Sequence, residues 1–233
     1  MAKTSKSGKK TEAEAEAEAE AKDKGKSKQE PAVEIIAILD RSGSMKSSQE
    51  EVINSYNKYI EKQKALPGSA KVSLTIFDDE ITPVYSGVDV KSAPILDDSV
   101  YFTRGMTALN DAVGKTLSAA SSRLKKEKHV LVCIITDGQE NSSKEYKAPQ
   151  IKKMVASLEK RGWEFAFIGA GIDAFAEGSA IGVSASTARG TPGIYFAQSA
   201  MCAMAEFSDH AVSYRRDMTE PKGKKSNDDV RDG

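Results

Sequence analysis

The chain has few of the residues that redox and acid–base catalysis most often use. Its 233 residues include two cysteines and two histidines. Cys133 lies in an apolar strand pattern and Cys202 in a helical one, so we expect two buried reduced thiols rather than a disulfide. His129 and His210 are far apart and have no ligand residue nearby, which indicates structural or surface roles. Histidine-based catalysis is therefore not predicted.

Net charge and long apolar segments are also lacking. The 34 Lys and Arg residues are balanced by 34 Asp and Glu residues, so no overall field attracts nucleic acid or a membrane surface. No apolar run approaches the roughly 18 residues of a transmembrane helix. The basic amino terminus leads into a Glu-Ala repeat and not into the apolar stretch of a secretory signal. We expect a cytoplasmic protein that binds neither nucleic acid nor membranes.

The length fits one domain flanked by tails. Residues 1–31 combine a Glu-Ala repeat with a Lys-rich stretch and have almost no large apolar side chains to bury. Such a segment cannot offset the entropy lost on ordering, so it is predicted to be a disordered tail, with a tether or docking arm as the functional alternative. We place the folded domain at residues 32–214. Residues 215–233 are polar and are predicted to form a second disordered tail.

Apolar runs and helical patterns alternate through this domain. Val33 to Leu39 is almost continuously apolar, which is typical of a central strand covered on both faces. The link between the strands predicted at 71–77 and 81–85 is short enough for a hairpin, and Pro83 favours an edge position. The alternation predicts an α/β fold: a doubly wound, Rossmann-like, mostly parallel sheet with one antiparallel edge strand and helices on both faces.

Three local patterns give finer predictions. Ser48 to Glu51 has the pattern of a capping box at a helix start. Residues 182–186 are predicted to form a brief strand. Thr191-Pro192 is a favourable start for the last helix, with threonine as the cap and proline at the first helical position.

Oxygen-bearing side chains follow the predicted central strands. Asp40, Ser42 and Ser44 occupy every second position directly after the first strand. Oxygen ligands suit a hard divalent cation such as Mg²⁺ or Mn²⁺ better than zinc. Asp137 follows another central strand, and Thr107 lies in a loop before a helix. Ligands of doubly wound sheets bind outside the carboxyl ends of the strands, so we expect these five side chains to share one rim.

These residues resemble the metal-ion-dependent adhesion site (MIDAS) of the von Willebrand factor type A (VWA) domain. Asp40-x-Ser42-x-Ser44 matches its first motif, Thr107 the second and Asp137 the third. The resemblance covers roughly residues 32 to 210 in order and spacing. The form Asp-Arg-Ser-Gly-Ser-Met at 40–45 is similar to that of intracellular bacterial and phage members. Met106 is a departure, because many relatives have glycine there.

The resemblance implies metal-dependent protein recognition without a bond-making step, and hence no enzymatic activity. In the family, the hydroxyls matching Ser42 and Ser44 bind the metal directly. The carboxylates matching Asp40 and Asp137 hold the metal partly through water molecules. The threonine matching Thr107 binds the metal either directly or through water. The implied cation is Mg²⁺, with Mn²⁺ or Ca²⁺ as alternatives, and it accepts an Asp or Glu of a protein partner. The last helix shifts on ligand binding in some relatives.

Other interpretations remain open. Taken singly, each of the five residues also fits a turn or a helix cap. A phosphohydrolase of the haloacid dehalogenase type places an aspartate after its first strand, but it needs a second one where Ser42 stands. Gly169 to Ala174 fits G-x-G-x-x-A, yet it follows a late strand and has no acidic residue about 20 positions on, which favours a glycine turn. A structural or accessory component of a phage or bacterial assembly would share the VWA fold.

Overall fold

The computed structural model describes residues 33–127, 129–169, 174–183, 194–196 and 200–219. The predictions for the tail at 1–31, for residues 170–173 of the glycine turn, and for the chain after residue 219 lie outside these ranges.

A sheet of six strands forms the centre of the domain, in the order β3-β2-β1-β4-β5-β6. All neighbouring strands are parallel except β2 and β3, which form an antiparallel pair at one edge. The predicted doubly wound, Rossmann-like architecture is therefore confirmed. The strands are β1 Val33–Asp40, β2 Ala70–Phe77, β3 Ile81–Asp89, β4 Val130–Thr136, β5 Trp163–Gly169 and β6 Ile194–Phe196.

Helices cover both faces of the sheet. They are α1 Gln49–Lys64, α2 Leu109–Arg123, α3 Ala148–Glu159, α4 Ala174–Ala180 and α5 Ala200–Thr219, with 3₁₀ helices at Gly43–Ser48 and Val90–Ser92. Alternate side chains of β1 enter two separate cores. Ile35 and Leu39 pack with α1 and α5, whereas Ile36 and Ile38 pack with α2 and α3. This two-sided burial explains why β1 is almost continuously apolar.

The chain between α4 and α5 differs from its predicted structure. Gly182 and Val183 belong to no strand, and residues 184–186 lie outside the described ranges. Ile194–Phe196 forms β6, paired with Phe167–Gly169 of β5, and the last helix begins at Ala200 instead of Thr191. Pairing with the open edge of the sheet outweighs the local Thr-Pro helix signal in this segment.

The last helix also extends further than predicted. Residues 215–219, expected in the polar tail, belong to α5. Arg215 is buried and donates through Nη1 to the backbone oxygen of Gln63 at 2.6 Å and through Nη2 to that of Pro67 at 3.1 Å. These bonds fasten the end of α5 to the end of α1, which a sequence pattern cannot indicate.

The predicted capping box at the start of α1 does not form. Ser48 makes no capping hydrogen bond through its side chain, because the 3₁₀ helix runs directly into α1 and holds Ser48 at φ −108° and ψ 3°. The residue that caps the start of a helix normally has extended φ and ψ angles. Gln49 instead accepts hydrogen bonds at Oε1 from the backbone and hydroxyl of Thr103, at 3.0 and 3.1 Å. This contact ties α1 to the loop that leads to Thr107.

The histidines have the structural contacts that their isolation in the sequence indicates. His129 Nδ1 lies 3.1 Å from the Tyr214 hydroxyl, and His210 Nε2 lies 2.8 Å from Glu164 Oε2. Cys133 is a buried free thiol in β4. No helix in the described part of the chain combines the length and apolarity that crossing a membrane requires.

Candidate metal centre

The end of β1 places Asp40 at the carboxyl edge of the sheet, beside the end of β4. Its carboxylate is fully buried, and both of its oxygens accept hydrogen bonds. Oδ1 accepts from the Ser42 backbone N–H at 2.7 Å, and Oδ2 accepts from the Thr136 hydroxyl at 2.5 Å. The Tyr101 hydroxyl donates to the Asp40 backbone oxygen. These bonds fix the carboxylate in one orientation.

A chain of hydroxyls joins the first predicted motif to the third. The 3₁₀ helix after β1 brings Ser42 Oγ to 3.0 Å from Ser44 Oγ. Ser44 Oγ donates to Asp137 Oδ1 at 2.7 Å, across 93 positions of sequence. Ser42 is buried, whereas Ser44 is exposed. The cluster thus runs from the interior at Asp40 to the surface at Ser44.

Thr107 belongs to the same cluster, as the surroundings of Gly138 show. A side-chain carbon at Gly138 would lie 2.8 Å from Thr107 Oγ1 and 3.2 Å from Ser44 Oγ. The two hydroxyls therefore border one point that only glycine leaves open. Thr107 is buried, and Asn141 holds its backbone on both sides, accepting its N–H at 2.9 Å and donating to its carbonyl at 3.0 Å.

The loop before Thr107 lies against the loop after Asp40. Arg104 N donates to the Arg41 carbonyl at 2.8 Å, and Gly43 N donates to the Gly105 carbonyl at 3.1 Å. Gly105 has φ 66°, which favours glycine. Met106 is 54% exposed, so the residue that departs from the family pattern stays out of the cluster.

Five predicted ligands are thus brought together, and the described residues do not balance their charge. Burial raises the pKa of Asp40 to about 6, because hydrogen bonds from Thr136 and Ser42 only partly offset desolvation and the charge of Asp137 adds to it. Burial also raises the pKa of Asp137, against the hydrogen bond from Ser44. Among the salt bridges of the described residues, none involves either carboxylate.

The donor set fits a hard divalent cation. Two carboxylates and three hydroxyls provide only oxygen, as Mg²⁺, Mn²⁺ and Ca²⁺ prefer. Within the described ranges, no three His, Cys, Asp or Glu side chains form a group that could hold a metal, so the hydroxyls would have to complete the ligand set. A cation would neutralise the two carboxylates, which have no positive partner in the part of the chain that the structure describes.

Asp78 is a neighbouring carboxylate whose role the sequence did not reveal. It lies in the short link between the strands predicted at 71–77 and 81–85, yet its side chain is fully buried between Arg104 Nε at 2.7 Å and Arg41 Nε at 3.1 Å. Its backbone oxygen accepts from Ala108 N at 2.9 Å, next to Thr107. Asp78 therefore positions the loop of the second motif. Its place directly after a predicted strand, like that of Asp40, was the available signal.

The loop after Asp137 is shaped by another carboxylate, Asp111. It accepts three backbone N–H bonds, from Lys144, Glu145 and Tyr146, at 2.8, 2.9 and 2.7 Å. Burial opposes its ionisation, but these bonds outweigh burial and lower the pKa of Asp111. Because the partners lie 33 to 35 positions away, no local pattern could have indicated this role.

The glycine-rich rival site receives no support. Gly169 ends β5, and residues 170–173 lie outside the described ranges. The aspartate-based phosphohydrolase also lacks its second acid, because the side chain two positions after Asp40 is the hydroxyl of Ser42, which faces Ser44.

Comparisons with known proteins agree with this geometry. The family model of the von Willebrand factor type A domain matches residues 34–209. No curated protein sequence matches the chain. Manganese-loaded TRAP protein from Plasmodium vivax is similar in structure, with a TM-score of 0.58 and 18% identity over 82% of this chain and 74% of that one.

Two further structures share the fold. Proximal thread matrix protein 1 from the mussel byssus has a TM-score of 0.53 and 15% identity, covering 78% of this chain and 45% of that one. Another structure of that protein has a zinc-occupied MIDAS motif. The ArnB paralog VWA2 from Sulfolobus acidocaldarius has a TM-score of 0.51 and 19% identity, covering 78% and 44%.

The match spans under half the length of the mussel and archaeal proteins, and such low identities establish the fold alone. The family model covers most of the chain and all three motifs. The chain therefore belongs to the von Willebrand factor type A domain family.

Proposed function

We propose that the chain is a metal-dependent protein–protein interaction module. A divalent cation is held by Asp40, Ser42, Ser44, Thr107 and Asp137 and binds an Asp or Glu side chain of a protein partner. The observation that carries this proposal is a pair of carboxylates with no cationic partner among the described residues, joined by a chain of hydroxyls. We further propose Mg²⁺ as the cation and the cytoplasm of a bacterial or phage-infected cell as the location.

The residues of the chain have distinct tasks in this module. Thr136 and the Ser42 backbone hold the buried Asp40 carboxylate in one orientation. Ser44 is exposed, and its hydroxyl hydrogen is directed to Asp137, which leaves oxygen lone pairs for a cation. The cation supplies an electrophilic position that accepts a carboxylate. The neutral hydroxyls reduce its charge less than further carboxylates would.

Absence of catalysis is part of the proposal. A phosphohydrolase would need an acid beside Asp40, and the hydroxyl of Ser42 occupies that position. A component of a phage or bacterial assembly would use the same recognition site. This alternative function differs from the interaction module in its biological setting and not in its chemistry. No separate observation favours it.

Metal binding is tested first by thermal melting in EDTA and then with Mg²⁺, Mn²⁺ or Ca²⁺. A ligand of the native state stabilises it by about 2.7 kcal/mol at a concentration 100 times its Kd. We expect the metal to raise the Tm of the wild type but not that of Ser42→Ala with Ser44→Ala. The matched control is Ser47→Ala with Ser48→Ala, because Ser48 makes no side-chain cap and both residues lie in the same 3₁₀ helix. Equal shifts in all three proteins would disprove the site.

Recognition is tested by co-purification from the native host with and without EDTA. A partner should be lost on chelation and in the Ser42/Ser44 variant, retained in the Ser47/Ser48 control, and lost again when its contacting Asp or Glu is changed to Asn or Gln. Metal-dependent hydrolysis of phosphoesters that disappears in Asp40→Asn would instead establish an enzyme.

A further inference from the structure

The amino edge of the sheet, opposite the metal centre, has two adjoining cavities. One, of about 550 Å³, lies between the loop before β4 and the loop before β5. The other, of about 520 Å³, lies between the first of these loops and the starts of β1 and β2. Both are lined by Lys125, Lys126 and Glu127. Each volume falls within the range of small-molecule sites, roughly 300–1,000 Å³.

Positive charge is concentrated along these cavities. We call Lys71, Lys125, Lys126, Lys160 and Arg161 the basic cleft. None of these five residues takes part in the salt bridges of the described residues. The other lining arginine, Arg123, is already paired with Glu34 at 2.6 Å, so Glu127 is the remaining acid. A chain with balanced charge overall thus presents a local excess of cations.

Residues 124–127, which carry Lys125 and Lys126, are held by hydrogen bonds from Arg161 and Trp163. Arg161 Nη2 donates to the Leu124 carbonyl at 2.6 Å, and Trp163 Nε1 donates to the Glu127 carbonyl at 3.3 Å. The Arg161 guanidinium also lies 5.3 Å from the centre of the Trp163 ring. Lys125 and Lys126 stand between the two anchored carbonyls. A loop ordered in advance loses less entropy when it binds a ligand.

We propose that the basic cleft binds a small oligophosphate, either free or as the phosphate tail of a nucleotide. Ammonium and guanidinium groups are the usual partners of phosphate oxygens, and several of them together suit a multivalent anion. The limited cavity volumes and the lack of overall positive charge favour a small ligand over a nucleic-acid strand. An eight-residue strand separates this edge from the metal centre by roughly 25 Å, so the two sites are distinct.

The test is calorimetric titration of the full chain with tripolyphosphate, ATP and a 20-nucleotide single-stranded DNA. EDTA is present throughout, so that no anion binds through a metal, and failure of the metal centre leaves the result unaffected. Lys125→Glu with Lys126→Glu should weaken tripolyphosphate binding at least tenfold. The matched control, Lys58→Glu with Lys91→Glu, makes the same charge change at two exposed lysines elsewhere and should stay within twofold of wild type.

Each outcome decides the proposal. Similar binding of ATP and tripolyphosphate identifies the phosphates as the recognised group, and tighter ATP binding identifies a nucleotide. If tripolyphosphate does not bind at millimolar concentration, or if both double variants weaken its binding equally, the proposed site is overturned. DNA binding tenfold tighter than that of tripolyphosphate and lost with Lys125 and Lys126 reassigns the cleft to nucleic acid. If the glutamate variant does not fold, Lys125→Gln with Lys126→Gln gives the same comparison without added repulsion.

Discussion

Asp40 ends β1 and Asp78 directly follows the adjacent parallel strand β2, and both side chains are fully buried, yet their surroundings differ in charge. Asp78 lies between two arginines at 2.7 and 3.1 Å. Asp40 receives hydrogen bonds only from neutral donors, and the nearby Asp137 adds negative charge. One carboxylate is compensated by the chain, and the other is not.

This difference separates a structural carboxylate from one suited to a ligand. Asp78 is neutralised by its own arginines and fastens the loop that carries Thr107. A buried charge without a partner is costly, which is why the pKa of Asp40 rises to about 6. An external cation at the proposed metal centre would supply the missing charge. Each of the following predictions changes one side of the comparison.

Removing the compensated carboxylate should have the largest effect. Asp78→Ala leaves the buried Arg41 guanidinium without its carboxylate and removes the ion pair between Asp78 and Arg104, so we expect a loss of about 3–5 kcal/mol in the free energy of unfolding. Urea denaturation in EDTA measures it. Asp79→Asn, at the exposed neighbouring position, is the control and should change little. A loss below 1 kcal/mol for Asp78→Ala would show that the two arginines do not depend on this carboxylate.

Removing the uncompensated charge of Asp40 should stabilise the protein, whereas removing Asp78 destabilises it. A pKa raised from 3.8 to about 6 corresponds to about 3 kcal/mol against the ionised form at neutral pH. Asp40→Asn should therefore stabilise the metal-free protein by up to about 3 kcal/mol and lose the response to Mg²⁺. The same urea titration in EDTA, repeated with Mg²⁺, gives both values. Destabilisation in EDTA would mean that the Asp40 charge is compensated after all.

The loop that carries Thr107 contacts the chain next to both Asp40 and Asp78, and it can be disturbed at Gly105. A side chain there meets φ 66° and would lie 2.0 Å from Asp79 Oδ1. Gly105→Ala should cost about 2 kcal/mol and weaken metal binding by displacing Thr107. Thermal melting with a Mg²⁺ titration measures both effects. Gly43→Ala is the control, because its nearest neighbour, the Gly105 carbonyl, would be at an ordinary 3.4 Å. Equal effects in the two variants would contradict this interpretation.

The smallest effect is the dependence on pH. Because the pKa of Asp40 is higher in the folded state than the ordinary 3.8, the native protein binds the extra proton between about pH 4 and 6. The stability of the metal-free wild type should therefore fall as pH rises through this window, by about 1 kcal/mol between pH 5 and 7. The raised pKa of Asp137 acts in the same direction. The difference in the free energy of unfolding between wild type and Asp40→Asn should narrow toward pH 4. A constant difference would exclude the Asp40 carboxyl as the cause of the pH dependence.

Much of the site could be predicted because its residues stand at the ends of strongly patterned elements. The apolar run of β1 delivers Asp40, and that of β4 delivers Asp137, to the same edge whenever the two strands are parallel. The hydrogen bonds of the cluster then join residues that the motifs had already named. The partners of Asp78 and Asp111 could not be predicted, since they are 26 to 37 positions away or arise from loop backbone.

By itself, the sequence determined the alternation of strands and helices, the antiparallel edge and the oxygen-bearing residues at the strand ends, because these depend on local periodicity and short motifs. Only the tertiary structure decided which carboxylate receives arginines, that residues 194–196 pair with the sheet edge, that α5 reaches Thr219, and that lysines from separate loops line one cleft. These features depend on neighbours distant in sequence, and charge compensation and edge pairing exist only once the chain has folded.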